Sequence, residues 1–150
     1  MKEITGNMFA HHVQKFADAI CLTTNGFIKK DGSAVMGAGN AKQAKDLYEG
    51  IDFELGNVIK ENGNKVQILR YSIPPIIVFP VKYKFWESAD LQLIKISAQQ
   101  LLDLSNTYPS WKRIILPRPG CYNGKRSWLS EVKPILQEIL DDRFYIIALR

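Results

Sequence analysis

Val35-Met36-Gly37-Ala38-Gly39-Asn40 and Pro117-Arg118-Pro119-Gly120-Cys121-Tyr122-Asn123-Gly124 are the two stretches on which the fold assignment turns. The strand-like run Ala19-Ile20-Cys21-Leu22-Thr23 and the pair Asn25-Gly26 precede the first. Ile114-Ile115-Leu116 precedes the second. Each loop leads into a predicted helix. Glycine lets the main chain approach a ligand closely, and a helix start offers free N–H groups to an anion. Two such loops at one sheet edge would form a cleft for a phosphorylated ligand.

Working outward, apolar runs alternate with helical patterns along most of the chain. Lys2 to Thr5 reads as a short edge strand, Asp18 to Thr24 as a buried one, and residues 26–35 as a loop. Asn40 to Tyr48 has Ala41, Ala44, Leu47 and Tyr48 on one helical face, and Gly50 ends it. Asp52 is the expected cap of a helix through Glu61. Val66 to Tyr71 and Ile76 to Val81 read as adjacent strands. Ser88 is the expected N-cap of a helix through Leu104, in which Leu91, Ile94, Ala98, Leu101 and Leu102 recur at helical spacing. Arg113 to Leu116 is a strand, Ser127 or Ser130 opens a helix through Leu140, and Phe144 to Leu149 is a final strand. Short continuous apolar strands imply a sheet covered on both faces. The expected fold is therefore α/β: one three-layer α/β/α domain over residues 1–150, with a central mixed, mostly parallel sheet. Ligands in such sheets bind beyond the carboxyl ends of the strands, where both glycine loops fall.

Composition narrows the function classes. Apolar residues make up 46% and charged residues 23% of the 150, ordinary for a globular domain. No stretch approaches the roughly 20 apolar residues that cross a bilayer, and Met1-Lys2-Glu3-Ile4-Thr5 lacks the apolar segment of a signal peptide. The net charge of +5 would attract nucleic acid or any phosphate ligand. Its lysines are scattered, however, and no nucleic-acid motif is present. Cys21 and Cys121, the only cysteines, read as structural free thiols in a reducing, cytoplasmic setting. His11 and His12 have no cysteine or acid at zinc spacing, so no metal is expected.

With these segments in order, the chain resembles the macro domain, an ADP-ribose-binding fold. Thr5-Gly6-Asn7-Met8 is similar to the turn after the opening strand, and Ala17 to Asn25 to the strand ending in a ribose-contacting asparagine. Val35 to Ala41 looks like the first phosphate loop. Phe79-Pro80-Val81-Lys82 looks like the strand end that carries a lysine in one branch of the family. Pro117 to Gly124, followed by Trp128, looks like the second phosphate loop. The branch most resembled includes terminal ADP-ribose glycohydrolases and DNA de-ADP-ribosylating antitoxins. The resemblance implies ADP-ribose, or an ADP-ribosylated protein, nucleic acid or small molecule, as the partner of a monomer without cofactor. Implied ligand contacts are Asn7 near adenine, Asn25 at the ribose, Met36, Gly37, Ala38 and Gly39 in the first loop, and Pro119, Gly120, Cys121, Tyr122, Asn123 and Gly124 in the second.

The implied catalytic residues are Lys82 and Asn25. A lysine in an apolar pocket beside another cation loses basicity and becomes a nucleophile. The matching lysine of the branch attacks the ribose C1″. An exposed lysine at a strand end is the rival reading. One glycohydrolase type keeps an acid in its second loop, whereas the stretch here is Asn123-Gly124-Lys125-Arg126. That departure counts against the lysine–acid route. Three readings therefore stand: hydrolysis of an ADP-ribosyl linkage or of ADP-ribose 1″-phosphate, ADP-ribose binding without turnover, and an α/β domain that binds nucleic acid. Arg118 reads equally as a phosphate partner or half of a structural ion pair. For Trp86 and Trp128, core or lid packing competes with a place beside the cleft.

Overall fold

The computed structural model describes residues 1–149. Six strands form one sheet in the order β1-β6-β5-β2-β4-β3. They are β1 (Lys2–Thr5), β2 (Ala19–Thr24), β3 (Gln67–Arg70), β4 (Ile76–Pro80), β5 (Ile114–Pro117) and β6 (Phe144–Ala148). All neighbouring pairs are parallel except β3 with β4, which is antiparallel at one edge. The helices are α1 (His11–Phe16), α2 (Gly39–Leu47), α3 (Ile51–Asn62), α4 (Leu91–Thr107) and α5 (Lys133–Ile139).

Side chains of a strand alternate between faces, so a sheet covered on both sides needs apolar residues at every position. That is what the central strands supply. Ala19 and Cys21 of β2 join Ile77 and Phe79 of β4 and Ile114 and Leu116 of β5 in one core, with Ile94, Ala98 and Leu101 of α4 and Leu136 of α5. The alternate residues Ile20, Leu22, Ile76, Val78 and Ile115 point the other way. They meet Ala41 and Ala44 of α2 and Ile51, Leu55 and Ile59 of α3. The three-layer expectation holds.

Several local expectations need correction. Helix α4 starts after Asp90, whose Oδ1 accepts from Leu93 N at 3.0 Å, and Ser88 lies outside it. Gly50, at φ +80, precedes α3, while Asp52 sits inside the first turn and its carbonyl accepts from Ala34 N at 2.8 Å. Its acidic side chain still favours the positive helix start. The second glycine loop runs through a π-helical turn, Trp128–Val132, before α5 begins. Ser127 Oγ caps that turn by accepting from Ser130 N. The pattern reading left α1 unmarked because six residues with only Val13 buried give too little helical periodicity.

Gly56 of α3 packs on the loop that leads to the first glycine turn. A methyl group there would overlap the Gly32 carbonyl oxygen. In an exposed helix Gly→Ala gains about 1 kcal/mol from propensity. Here overpacking against backbone costs about 1–3 kcal/mol or more, and the sign reverses. Gly56→Ala is expected to lower the urea midpoint without changing the slope of the transition.

Candidate functional site

Strands β5, β2 and β4 are adjacent and parallel, so their carboxyl ends share one rim of the sheet. Asn25 follows β2, the second glycine loop follows β5, and Val81-Lys82 follows β4. Together they line a cavity of about 530 Å³, inside the size range of small-molecule sites. The two loops come close together: a methyl group on Gly39 would stand 3.6 Å from Asn123 Nδ2. Of the residues singled out from the sequence, Asn25, Met36, Gly37, Ala38, Gly39, Lys82, Gly120, Cys121, Tyr122, Asn123 and Gly124 are on the cavity wall. Asn7 and Pro119 are not on it. Asn7 Oδ1 accepts from Phe9 N at 2.9 Å and closes a local turn instead.

The first loop ends in α2, whose N-cap, Ala38, supplies no side-chain bond. Its first turn has no acid. Asn40 anchors this helix start to β2, accepting from Thr23 N at 3.0 Å and donating to Thr23 Oγ1 at 2.7 Å. Among the described residues, the N–H groups of Gly37, Ala38, Tyr122, Asn123 and Gly124 donate to no protein acceptor. Unspent main-chain donors facing a hollow suit an anion. The glycines differ in what they do. Gly37 would tolerate a side chain sterically, with nothing within 4 Å, so its openness belongs to the cavity. Gly120, at φ +74, has no room for one, because Ala89 Cβ would lie 2.6 Å away. Gly124 packs on the Gly120 carbonyl in the same way, so both shape the loop itself.

Asn25 is largely committed to structure. Its Oδ1 accepts from Phe27 N at 3.0 Å, and its Nδ2 donates to the Val35 carbonyl at 3.1 Å. One amide hydrogen remains for a ligand. Met36 is 2% exposed and belongs to the core. The Cys121 thiol donates to the Pro119 carbonyl at 3.4 Å. Burial pushes its pKa up to about 11, so it is not a thiolate at neutral pH.

Lys82 is 8% exposed and is the buried cation of the site. Its Nζ donates to the Asn123 carbonyl at 3.1 Å and to the Phe85 carbonyl at 3.4 Å, tying the β4 end to the second loop. No carboxylate pairs with it among the described residues. Burial, and then the nearby Lys125 ammonium, lower its pKa below the ordinary lysine value. Arg118 also reaches the wall, 3.7 Å from Glu3 Oε1 and 5.2 Å over the Trp128 ring. Trp128 itself is core, with Nε1 donating to Glu3 at 2.9 Å.

Pattern reading missed Asn40, Glu87, Phe27 and Phe85, while it gave Tyr122 to the ligand and left Trp86 between lid packing and a place beside the cleft. Phe85 and Trp86 on the cavity wall form a triangle with Phe27 behind them, ring centroids 4.9–5.5 Å apart. Trp86 and Tyr122 are each 60% exposed. For Phe85 and Trp86, nearness to Lys82 in sequence was the available signal, but aromatic residues just after a strand read equally as core. Glu87 is the one carboxylate on the wall among the described residues.

A six-stranded mixed sheet between helices, with both glycine loops at its carboxyl rim, is the macrodomain fold. No family model and no curated protein matches the sequence. The three-dimensional likeness is to macrodomains of DarG. That of Mycobacterium tuberculosis DarG has TM-score 0.76 at 20% identity, over 97% of this chain and 95% of that one. The Thermus aquaticus DarG macrodomain has TM-score 0.74 at 23% identity, over 97% and 95%. Thermosipho africanus DarTG, solved in complex with ADP-ribose, has TM-score 0.79 at 17% identity. The match covers 98% of this chain but spans only 41% of the Thermosipho chain.

The lowered pKa of Lys82 sets a sign for stability against pH. The unfolded chain holds that proton to higher pH than the folded one, so folding is penalised below the folded value and relieved as pH rises towards the ordinary lysine range. Lys82→Met removes the effect. Wild type is expected to gain stability relative to Lys82→Met as pH rises through the alkaline range below the ordinary lysine value, read from urea midpoints.

Proposed function

We propose that this protein binds ADP-ribose with its diphosphate between the two glycine loops and cleaves an ADP-ribosyl linkage with Lys82 as nucleophile. One observation carries the reading: two loops with unspent N–H donors meet at one cavity whose buried cation, Lys82, has no carboxylate partner among the described residues. The macrodomain fold, and the ADP-ribose bound by the Thermosipho relative, support the same ligand. The neutral Lys82 amine attacks C1″ of the distal ribose. The C1″–acceptor bond breaks, its electron pair leaves with the acceptor, and the acceptor takes up a proton. Water then hydrolyses the ribosyl–lysine bond and restores the amine. The loops hold the diphosphate so that C1″ meets Nζ in line.

The acceptor leaves past Phe85, Trp86 and Tyr122. Exposed rings stack on flat groups, each worth about 1–3 kcal/mol for a base. That favours a nucleobase over an aliphatic side chain as the modified group. Binding without turnover is the second reading, and the acid-free stretch Asn123-Gly124-Lys125-Arg126 favours it.

Calorimetry against ADP-ribose, ADP, AMP and ribose 5-phosphate tests the site. ADP-ribose is expected to bind best, because it alone fills both loops and both sugar positions. Equal affinity for AMP contradicts this occupancy. Turnover of ADP-ribosylated DNA, ADP-ribosylated protein and ADP-ribose 1″-phosphate tests the chemistry. Lys82→Ala is expected to lose at least about 100-fold in rate while still binding ADP-ribose. No product above a blank with any substrate leaves the binding module.

A further inference from the structure

Lys125 is the one non-glycine residue with positive φ among the described residues, at +61°. An L-residue adopts that left-handed conformation at a cost, and such strain persists only where the surroundings hold it. Here the frame is built on both sides. Lys125 N donates to the Tyr122 carbonyl at 3.1 Å, and Arg126 N to the Gly120 carbonyl at 2.9 Å. Ala89 bridges the two segments: its N–H donates to the Gly124 carbonyl at 2.9 Å, while its carbonyl accepts from Arg126 Nε at 2.7 Å. A glycine at 125 would fit the bend without strain, so its shape does not explain the lysine. The side chain explains it by position. Lys125 is on the cavity wall with Lys82, and the Lys82 ammonium is bonded to the carbonyl of Asn123, two residues upstream.

We propose that Lys125 is a positioning residue for the site, a second ammonium held at the cavity wall by a strained loop so that the Lys82 amine is present in its neutral, nucleophilic form. The charged residues on and next to the cavity wall leave this task to Lys125. From the segment after β4 come Lys84, whose Nζ sits 5.6 Å over the Trp86 ring, and Glu87, which is of opposite sign. From the second loop come Arg118, engaged by Glu3 and Trp128, and Lys125. Strand β2 and the first loop place no charged side chain on the wall. Lys125 is exposed and makes no ion pair among the described residues, so no paired carboxylate offsets its charge beside the cavity. The lowered basicity of Lys82, attributed first to burial and then to Lys125, agrees with this arrangement. Like charges disfavour each other's protonated forms, and salt screens an exposed partner.

The inference rests on Lys82 as the nucleophile, but its test reads the amine and not turnover. Lys82 reactivity towards acetic anhydride is followed against pH by residue-resolved mass spectrometry in wild type, Lys125→Gly and Lys125→Arg. In Lys125→Gly the Lys82 midpoint is expected to rise by about half a pH unit, a roughly threefold loss of neutral amine at fixed pH. The thermal midpoint of that variant is expected to rise as well, because glycine relaxes the left-handed backbone. Lys125→Arg is expected to keep the wild-type midpoint, and 1 M salt to shrink the gap between wild type and Lys125→Gly to under half its low-salt size (about 3 Å screening length). An unchanged Lys82 midpoint in Lys125→Gly overturns the proposal. An equal rise in Lys125→Gly and Lys125→Arg also overturns it, since distortion of the loop would then be the cause. Failure of the nucleophile reading looks different: turnover would survive Lys82→Ala whatever the amine titration shows.

Discussion

Everything at the site depends on β2 pairing in parallel with β4 on one side and β5 on the other. Parallel pairing brings three carboxyl ends to one rim, and continuity of the apolar strands forces helices onto both faces. The chain leaves β2 towards β4 on one side and reaches β5 on the other, so the strand order reverses beside β2. A crevice opens where such connections diverge. Loops separated by some eighty residues of sequence therefore face each other across a few ångströms. Register keeps this in place: Thr24 lies opposite Pro80, and Ser97 Oγ of α4 holds the Pro80 carbonyl at 2.7 Å inside the core.

Rigidity of the second loop and openness of the first are complementary. Gly120 and Gly124 are packed so closely on Ala89 and on each other that they fix the loop's shape. Gly37 meets nothing, which leaves its N–H free to approach a ligand. Lys82 ties the end of β4 to the second loop. An ammonium bonded only to carbonyls is held in place without a counter-charge, which preserves both its position and its lowered basicity. A carboxylate partner would have fixed the position and raised the basicity.

Much of this was legible in the sequence because it depends on pattern. The central strands Ala19–Thr24, Ile76–Pro80 and Ile114–Pro117 are continuous apolar runs, and each ends in glycine, asparagine or proline punctuation. Their order in the sheet was not legible, because a continuous apolar run carries no mark of which strand it pairs with. Helix starts were misplaced where a second capping residue stood nearby: Ser88 against Asp90, and Asp52 against Gly50. The roles of individual side chains were least legible. Asn7, expected near adenine, lies off the cavity wall and accepts from Phe9 N within its own turn. Met36 stands at a cavity wall yet lies in the core. The left-handed Lys125 has no signature at all, because strain is a property of the frame and not of the residue.

The central claim is that two distant glycine loops grip one diphosphate together. Backbone amide shifts of Gly37, Ala38, Tyr122 and Asn123, followed by NMR during titration with ADP-ribose, test it directly. All four should move along a single saturation curve with one midpoint. Movement confined to one loop, or separate midpoints for the two, would contradict the account.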